Sequence, residues 1–214
     1  MDVSIIIPVF NKSGLTRVCL DALKKTVPAT LRYETIVIDN NSTDDTQRVL
    51  SEFPWITVIS NPKNVGFAGA NNQGARAASG TMLILLNNDT EPQAGWIQAL
   101  LLAAEAENVG AVGARLLFPN RTVQHAGVVI GRERFGPYHY TPYHYLWSSP
   151  ATAKAVMQTR DYQSVTGACI ATPRQLYLAL GGLDETFWNG YEDIDYCFKV
   201  LRDGKRVVYE PQAE

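Results

Sequence analysis

The chain has 214 residues, 46% hydrophobic and 19% charged, which is enough apolar material for one domain with a sizeable core. Nineteen Lys and Arg against 21 Asp and Glu leave a net charge of −2 with no basic run suited to a phosphate backbone, so nucleic acid is not an expected partner. Cys19, Cys169 and Cys197 are too scattered for a disulfide framework or a zinc site. The apolar runs fall short of the roughly 18–20 residues that cross a bilayer, and VSIIIPVF follows Met1 without a basic n-region or cleavage site. A cytoplasmic protein is expected, with peripheral contact at the inner face of the membrane left open.

In chain order, Val3–Phe10 reads as a buried strand from its Ile-Ile-Ile run. Leu15, Val18, Cys19 and Leu23 recur at helical spacing, and Glu34–Asp39 is a second strand. Ser42 or Thr43 can cap a helix running to about Phe53, and Ile56–Ser60 is a third strand. A small-residue helix over Phe67–Ala78, a strand at Thr81–Leu86 and an amphipathic helix at Trp96–Glu107 follow. This alternation predicts an α/β fold with a mostly parallel sheet and helices on both faces.

Past residue 108 the pattern changes. Val109–Leu117, Val123–Ile130, Val165–Ala171 and Arg206–Tyr209 read as strands, Pro173–Leu180 and Glu192–Arg202 as helices, with Gly204 as an αL cap. Arg132–Asp161 has no sustained period and reads as a long loop rich in Tyr and Trp. Its aromatic part, Phe135–Trp147, is expected to form an acceptor face or a subunit contact, which leaves a homo-oligomer open. His139 and His144, with His125 nearby in sequence, could be read as metal ligands, but surface or acceptor-contacting roles are commoner. One domain is expected over 1–214, with 1–108 as a ligand-binding half and 109–214 as the other half.

Three predicted strands end in polar clusters: Asn11, then Asp39-Asn40-Asn41, then Asn87-Asn88-Asp89. A parallel sheet brings such ends to one edge, where ligands of these folds bind. Gly66–Gly74 is glycine-rich but spaced GxxGxxxxG with no following GKS or GKT, so it matches neither a dinucleotide fingerprint nor a P-loop. Asn64, Asn71 and Asn72 could hold a nucleotide there, and close packing of a helix on the sheet explains the glycines equally well. Asp89, a lone carboxylate at a strand end, suits Mg²⁺ or Mn²⁺ shared with phosphate oxygens. Glu192, Asp193 and Asp195 open a helix, where acidic residues favour the helix dipole. The aromatic stretch before them, 187–191, could equally wall a pocket in which a carboxylate becomes a general base.

Six ordered segments together resemble one family: PVFN, VIDNNSTDDT, NVGFAGANNQG, LLNNDTEP, VTGACIATPR and GGLDETFWNGYEDIDYC. They are similar to those of family 2 glycosyltransferases of the GT-A fold, in particular the rhamnosyltransferase-like enzymes of bacterial polysaccharide assembly. The resemblance implies a GT-A (Rossmann-like) domain with a smaller acceptor-side β/loop region. It implies a nucleotide pocket edged by Pro8, Phe10, Asn11, Asp39, Asn41, Ser42, Gly66, Asn72 and Asn88, with Asp39 accepting from a pyrimidine imide. Asp89 would be the metal ligand, Gly167 and Ala168 would underlie the donor sugar, and Asp193 would be the catalytic base beside Glu192.

The reaction so implied is inverting transfer of a hexosyl unit from a UDP- or dTDP-linked sugar to a hydroxyl of a glycan or lipid-linked glycan, assisted by Mn²⁺ or Mg²⁺. Members often carry a histidine beyond the segment that ends here at Glu214, so the resemblance also suggests a longer parent chain. A non-catalytic sugar-nucleotide-binding or scaffold module and a nucleotidyltransferase are the alternatives; PVFNKSG is a poor triphosphate loop for the latter.

Overall fold

VSIIIPV forms β1 (Val3–Val9), whose seven residues are all buried because both faces of the strand are covered. Its odd-numbered side chains, Val3, Ile5, Ile7 and Val9, enter one core and Ile6 enters the other. Each fully buried Ile contributes about 1.5–3 kcal/mol of transfer free energy. The computed structural model describes residues 2–132, 140–187 and 190–214.

From β1 the chain alternates through α1 (Ser13–Thr26), β2 (Tyr33–Asp39), α2 (Thr46–Ser51), β3 (Thr57–Ser60), α3 (Gly66–Ala77), β4 (Met82–Leu86), α4 (Trp96–Ala104) and β5 (Val109–Ala114). Four short strands follow: β6 (Leu116–Leu117), β7 (Val123–His125), β8 (Val128–Gly131) and β9 (Thr141–His144). The chain closes with β10 (Arg160–Asp161), β11 (Cys169–Pro173), α5 (Arg174–Ala179), α6 (Glu192–Arg202) and β12 (Arg206–Glu210). Among the described residues eight strands make one sheet in the order β10-β12-β5-β11-β4-β1-β2-β3. β1, β2, β3 and β4 run parallel, β12 runs parallel to β5, and β11 is antiparallel to both β4 and β5. The sheet is therefore the mostly parallel α/β sheet expected, and it takes strands from both sides of residue 108.

Helices α1, α2 and α4 cover one face through residues such as Leu20, Leu23, Leu50 and Ile97. Helices α3, α5 and α6 cover the other through Ala70, Ala75, Tyr177, Tyr196 and Val200. Small residues in α3 permit a close approach: a Cβ on Gly74 would stand 2.4 Å from Cγ2 of Ile6. For this glycine the packing explanation is the right one. Among the described residues no helix is long and apolar enough to cross a membrane.

Five local expectations are corrected. Helix α2 begins at Thr46, not after Ser42, because Ser42 and Asp44 are occupied in bonding the neighbouring loop. The predicted strand 109–117 breaks at Arg115, and 123–130 breaks between β7 and β8 at Ala126-Gly127, where Gly127 has a φ of 99°. The segment expected to be loop from 132 to 161 contains β9, antiparallel to β8, and β10, antiparallel to β12. Strand β11 starts at Cys169, not Val165, because the N–H groups of Thr166 and Gly167 bond to side chains and are lost to a ladder.

Candidate functional site

The carboxyl ends of β1 and β2 meet in a small network. Asp39 is fully buried; its Oδ1 accepts from the Ser42 N–H at 2.9 Å, and its Oδ2 has no partner among the described residues. Ser42 Oγ accepts the Asn11 N–H at 2.7 Å, while Asn11 Oδ1 accepts the Thr43 N–H at 2.8 Å. Asn11 and Asn41 take positive φ angles of 58° and 67°, a conformation that Asn tolerates better than most residues. Pro8 is buried in β1 opposite Ile38, whereas Phe10 is half exposed at the strand end. A buried carboxylate oxygen without a donor is costly, by about 1–3 kcal/mol or more. A ligand N–H reaching Asp39 would remove that cost.

Asn40 and α3 extend the network. Asn40 donates to the Gly66 carbonyl at 3.2 Å and accepts from Asn61 at 2.9 Å. Gly66, at φ 79°, donates its N–H to Asn64 Oδ1 at 2.8 Å. Asn72 behaves differently from its expected role. Its amide donates to the Leu183 carbonyl (2.8 Å) and Glu185 Oε1 (2.9 Å), while its Oδ1 accepts from Tyr177 Oη (2.7 Å) and the Leu183 N–H (3.0 Å). All its polar capacity is spent inside the protein. Asn72 fastens the loop after α5 to α3 and leaves no free donor or acceptor for a nucleotide.

At the end of β4, the Asn87 N–H donates to the Ala168 carbonyl at 2.9 Å, which ties this strand end to the segment before β11. Asn88 Nδ2 donates to Thr16 Oγ1 of α1 at 2.9 Å. Asn87 Oδ1 is buried and has no partner among the described residues, and Asp89 is exposed. Among the described residues no group of three or more His, Cys, Asp or Glu side chains gathers to hold a metal. One exposed carboxylate suits a hard cation that completes its shell from a diphosphate and water, not a closed all-protein cage.

The second carboxylate set lies across the same edge. Gly167, next to Ala168, donates its N–H to Asp193 Oδ2 at 2.8 Å, and Asp193 Oδ1 accepts the Ile194 N–H at 2.8 Å. A Cβ on Gly167 would stand 3.2 Å from Asp193 Cβ and 3.3 Å from the Phe67 ring, a tight fit that would press on both side chains. Asp193 is half-buried. Glu192 is 5% exposed, its Oε2 has no partner among the described residues, and burial, then the Asp193 charge, pushes its carboxyl above the ordinary range. Asp195 pairs with Lys199 one turn on at 2.8 Å, an i,i+4 contact of about 0.3–0.5 kcal/mol. The arrangement brings Asp39, Asn87-Asn88-Asp89, Gly167-Ala168 and Glu192-Asp193 to one sheet edge.

Sequence reasoning did not find three contributors. Thr166 and Glu185 act through a backbone N–H and a long-range bond to Asn72, and neither carries a local signature. His125 is buried and its Nδ1 lies 2.9 Å from Nδ1 of His144; a pairing of residues 19 apart has no signature in the sequence. Phe135, Tyr138, His139, Trp188 and Asn189 lie outside the described residues. Of the remaining loop aromatics, Tyr140, Tyr143 and Trp147 are exposed, while Tyr145 is half-buried against Tyr162. A cavity of about 540 Å³ opens between α1, α4 and β6, lined by Leu15, Trp96, Arg115 and Phe118, and it shares only Asp89 with the residues expected at the site.

This sheet, with its polar strand ends and carboxylates along one edge, is that of a GT-A glycosyltransferase fold. Aligned on the structure of GalNAc-T7 with UDP, GalNAc and Mn²⁺, 99% of the chain and 43% of that protein superpose with a TM-score of 0.77 at 17% identity. The mannosyltransferase PcManGT of Pyrobaculum calidifontis, solved with GDP-Man and Mn²⁺, gives 0.68 at 20% identity over 99% of this chain and 55% of that one.

Residues 4–176 match the glycosyl transferase family 2 domain, and the chain belongs to that family. It is 35% identical over 220 residues to the O-antigen biosynthesis protein RfbC of Myxococcus xanthus, covering 99% of this chain and 17% of that protein. Similarity to the N-acetylglucosaminyl-diphospho-decaprenol L-rhamnosyltransferase of Mycobacterium tuberculosis is 27% over 201 residues, 84% of this chain and 64% of that one. The chain spans 17%, 24% and 42% of the lengths of the first curated relatives that it matches.

Proposed function

We propose that this chain is one catalytic unit that moves a sugar from a UDP- or dTDP-linked donor to a hydroxyl of a saccharide or lipid-linked saccharide, with inversion at the anomeric carbon. The observation that carries this reading is the bonded run from Asp193 through Gly167 and Ala168 to Asn87, two residues before Asp89. It links a carboxylate able to take a proton with one able to hold a cation. Residues 1–108 would bind the nucleotide and 109–214 the acceptor. The relatives named for O-antigen biosynthesis and rhamnosyl transfer support a polysaccharide product.

In this mechanism Asp193 takes the proton of the acceptor hydroxyl as its oxygen bonds to the anomeric carbon. The bond from that carbon to the phosphate oxygen breaks, and the nucleoside diphosphate leaves with the electron pair. One displacement gives inversion. The backbone N–H groups of Gly167 and Ile194 hold the Asp193 carboxylate in place, which leaves its outer lone pairs for the hydroxyl. Such positioned base catalysis contributes about 10²–10⁴-fold. Asp39 Oδ2 accepts the imide N–H of the base, with Phe10, Asn11, Asn41, Ser42 and Gly66 shaping the pocket around it. Asn88 holds the strand end against α1. Glu192, kept neutral more readily than an ordinary carboxyl, contacts the sugar or the acceptor.

Asp89 would hold Mn²⁺ or Mg²⁺, which when bound would neutralise the charge of the departing diphosphate. The chain would act on the cytoplasmic side of a membrane that carries the acceptor. Calorimetry with UDP and dTDP, with and without Mn²⁺, followed by nucleotide release from a panel of UDP- and dTDP-hexoses, tests the reading. Cation-dependent binding and release support it; failure to bind either nucleotide in the presence of Mn²⁺ overturns it.

A further inference from the structure

The histidine pair between β7 and β9 has no part in the mechanism above. His125 is fully buried, and its Nε2 faces two backbone donors, the N–H of Gly127 at 3.3 Å and the N–H of Thr166 at 3.4 Å. An imidazole nitrogen that accepts carries no proton, so the His125 proton sits on Nδ1. That Nδ1 lies 2.9 Å from His144 Nδ1, with the two rings at 84°. His144 Nδ1 must therefore accept, and the His144 proton is driven to Nε2. A shared tetrahedral metal would hold two nitrogens at about 2.0–2.1 Å each and keep them roughly 3.3 Å apart. The pair at 2.9 Å is a hydrogen bond.

Thr166, which anchors His125, immediately precedes Gly167, which anchors Asp193. One dipeptide thus fixes both the relay and the carboxylate. His144 is exposed and is tied to the Asp193 side of the edge by contacts: it bonds His125, His125 bonds Thr166, and the next residue, Gly167, bonds Asp193. We infer that His144, locked by His125 as an Nε2–H donor, hydrogen-bonds the acceptor saccharide and turns its reacting hydroxyl toward Asp193. His125 is then a positioning residue. This rests on the reading of Asp193 as the base, and it extends the acceptor side to a residue that neither the glycine-rich nor the acidic segments contain.

The test uses the full chain and the UDP- or dTDP-hexose that shows the fastest nucleotide release. Release is measured without acceptor, where water is the nucleophile, and with a panel of methyl glycosides. His144→Ala should lower kcat/KM for the glycoside about fivefold, as expected for one hydrogen bond of about 1 kcal/mol. Acceptor-free release and UDP affinity should stay at wild-type values. His144→Gln, whose amide nitrogen reaches the place of Nε2, should recover most of the loss. His144→Asn, which reaches only the place of Nδ1, should not. His125→Asn keeps a donor toward His144 and should retain more activity than His144→Ala. Wild-type glycoside kinetics in His144→Ala, or an equal loss in acceptor-free release, overturn the assignment. Absence of release by the unmodified chain overturns the transferase reading and the assignment with it.

Discussion

At the ends of β1 and β2 the polar side chains bond to near neighbours across one loop pair: Asn11 to Thr43, Ser42 to Asn11, Asp39 to Ser42. Before β11 and α6 the bonds run across the fold, from Thr166 to His125, from Gly167 to Asp193, and from Asn72 of α3 to Leu183 and Glu185. The first region is assembled by strand ends that a parallel sheet must bring together. The second depends on a break in regular structure, because residues 164–168 give up a β ladder to aim their N–H groups at side chains. In the proposed function the nucleotide needs a pre-formed cradle, and the paired loops after β1 and β2 would supply one. The proton transfer needs a carboxylate fixed relative to the cation site, and the bonded run through Gly167 and Ala168 would do that.

The sharpest way to separate the regions is to alter one carboxylate in each. Asp193→Asn should lower sugar transfer by about 10²–10⁴-fold while UDP or dTDP affinity stays near wild type, since the lost interaction acts in the transition state. Glu192→Gln should cost less, because a carboxyl whose pKa burial raises already favours its neutral form. Steady-state kinetics beside calorimetry read both. A wild-type turnover in Asp193→Asn removes the base assignment. Asp89→Ala should act on the other region: nucleotide affinity in Mn²⁺ should fall to the value seen in EDTA. If binding is the same with and without Mn²⁺ before any substitution, the cation has no place at Asp89.

This division also explains what could be read from the sequence. Strands β1, β2 and β4 and the polar triplets at their ends follow from buried runs and a βαβ rhythm, and Asn87-Asn88-Asp89 stands where that rhythm puts it. Glu192-Asp193 could be named because the six motifs occur in order, not because of any helix pattern. Asn72 misled because an Asn in a glycine-rich turn reads as a ligand, while its four partners come from residues over 100 positions away. Strand β9 and the His125–His144 pair were illegible for the same reason: TPYH has no alternation, and its partner is fixed only by tertiary pairing.

Asp39→Asn gives a smaller and more selective effect within the first region. The Asn carbonyl can still accept the Ser42 N–H, so the free protein should keep its melting temperature. At the unpartnered Oδ2 position the amide presents a donor to a ligand N–H, and affinity for UDP or dTDP should fall about 10–100-fold, the worth of a hydrogen bond to a charged group. Unchanged affinity for both nucleotides would show that the buried oxygen faces something other than the base.

The smallest effect concerns the second region and reads out as stability against pH. Burial, then the nearby His144 charge, lowers the His125 pKa to about 3, from an ordinary value near 6.5. Between those two values the unfolded chain binds more protons than the folded one. The contribution of His125 is therefore complete above about pH 6.5 and is lost as pH falls toward 3, at up to about 1.4 kcal/mol per unit. His144, also lowered chiefly by burial, adds a term of the same sign. Asp44, held at about 2 by Thr46 and Ser13, stays ionised in the folded state over the upper part of this window and adds little slope there. His125→Asn cannot titrate, so urea unfolding of this variant at about pH 7, 6 and 5 should show a shallower fall in stability than the wild type. The double variant His125→Asn, His144→Gln should be flatter still. Parallel curves for all three proteins would mean that the pair is solvated and protonates freely, which would also remove the fixed Nε2–H donor.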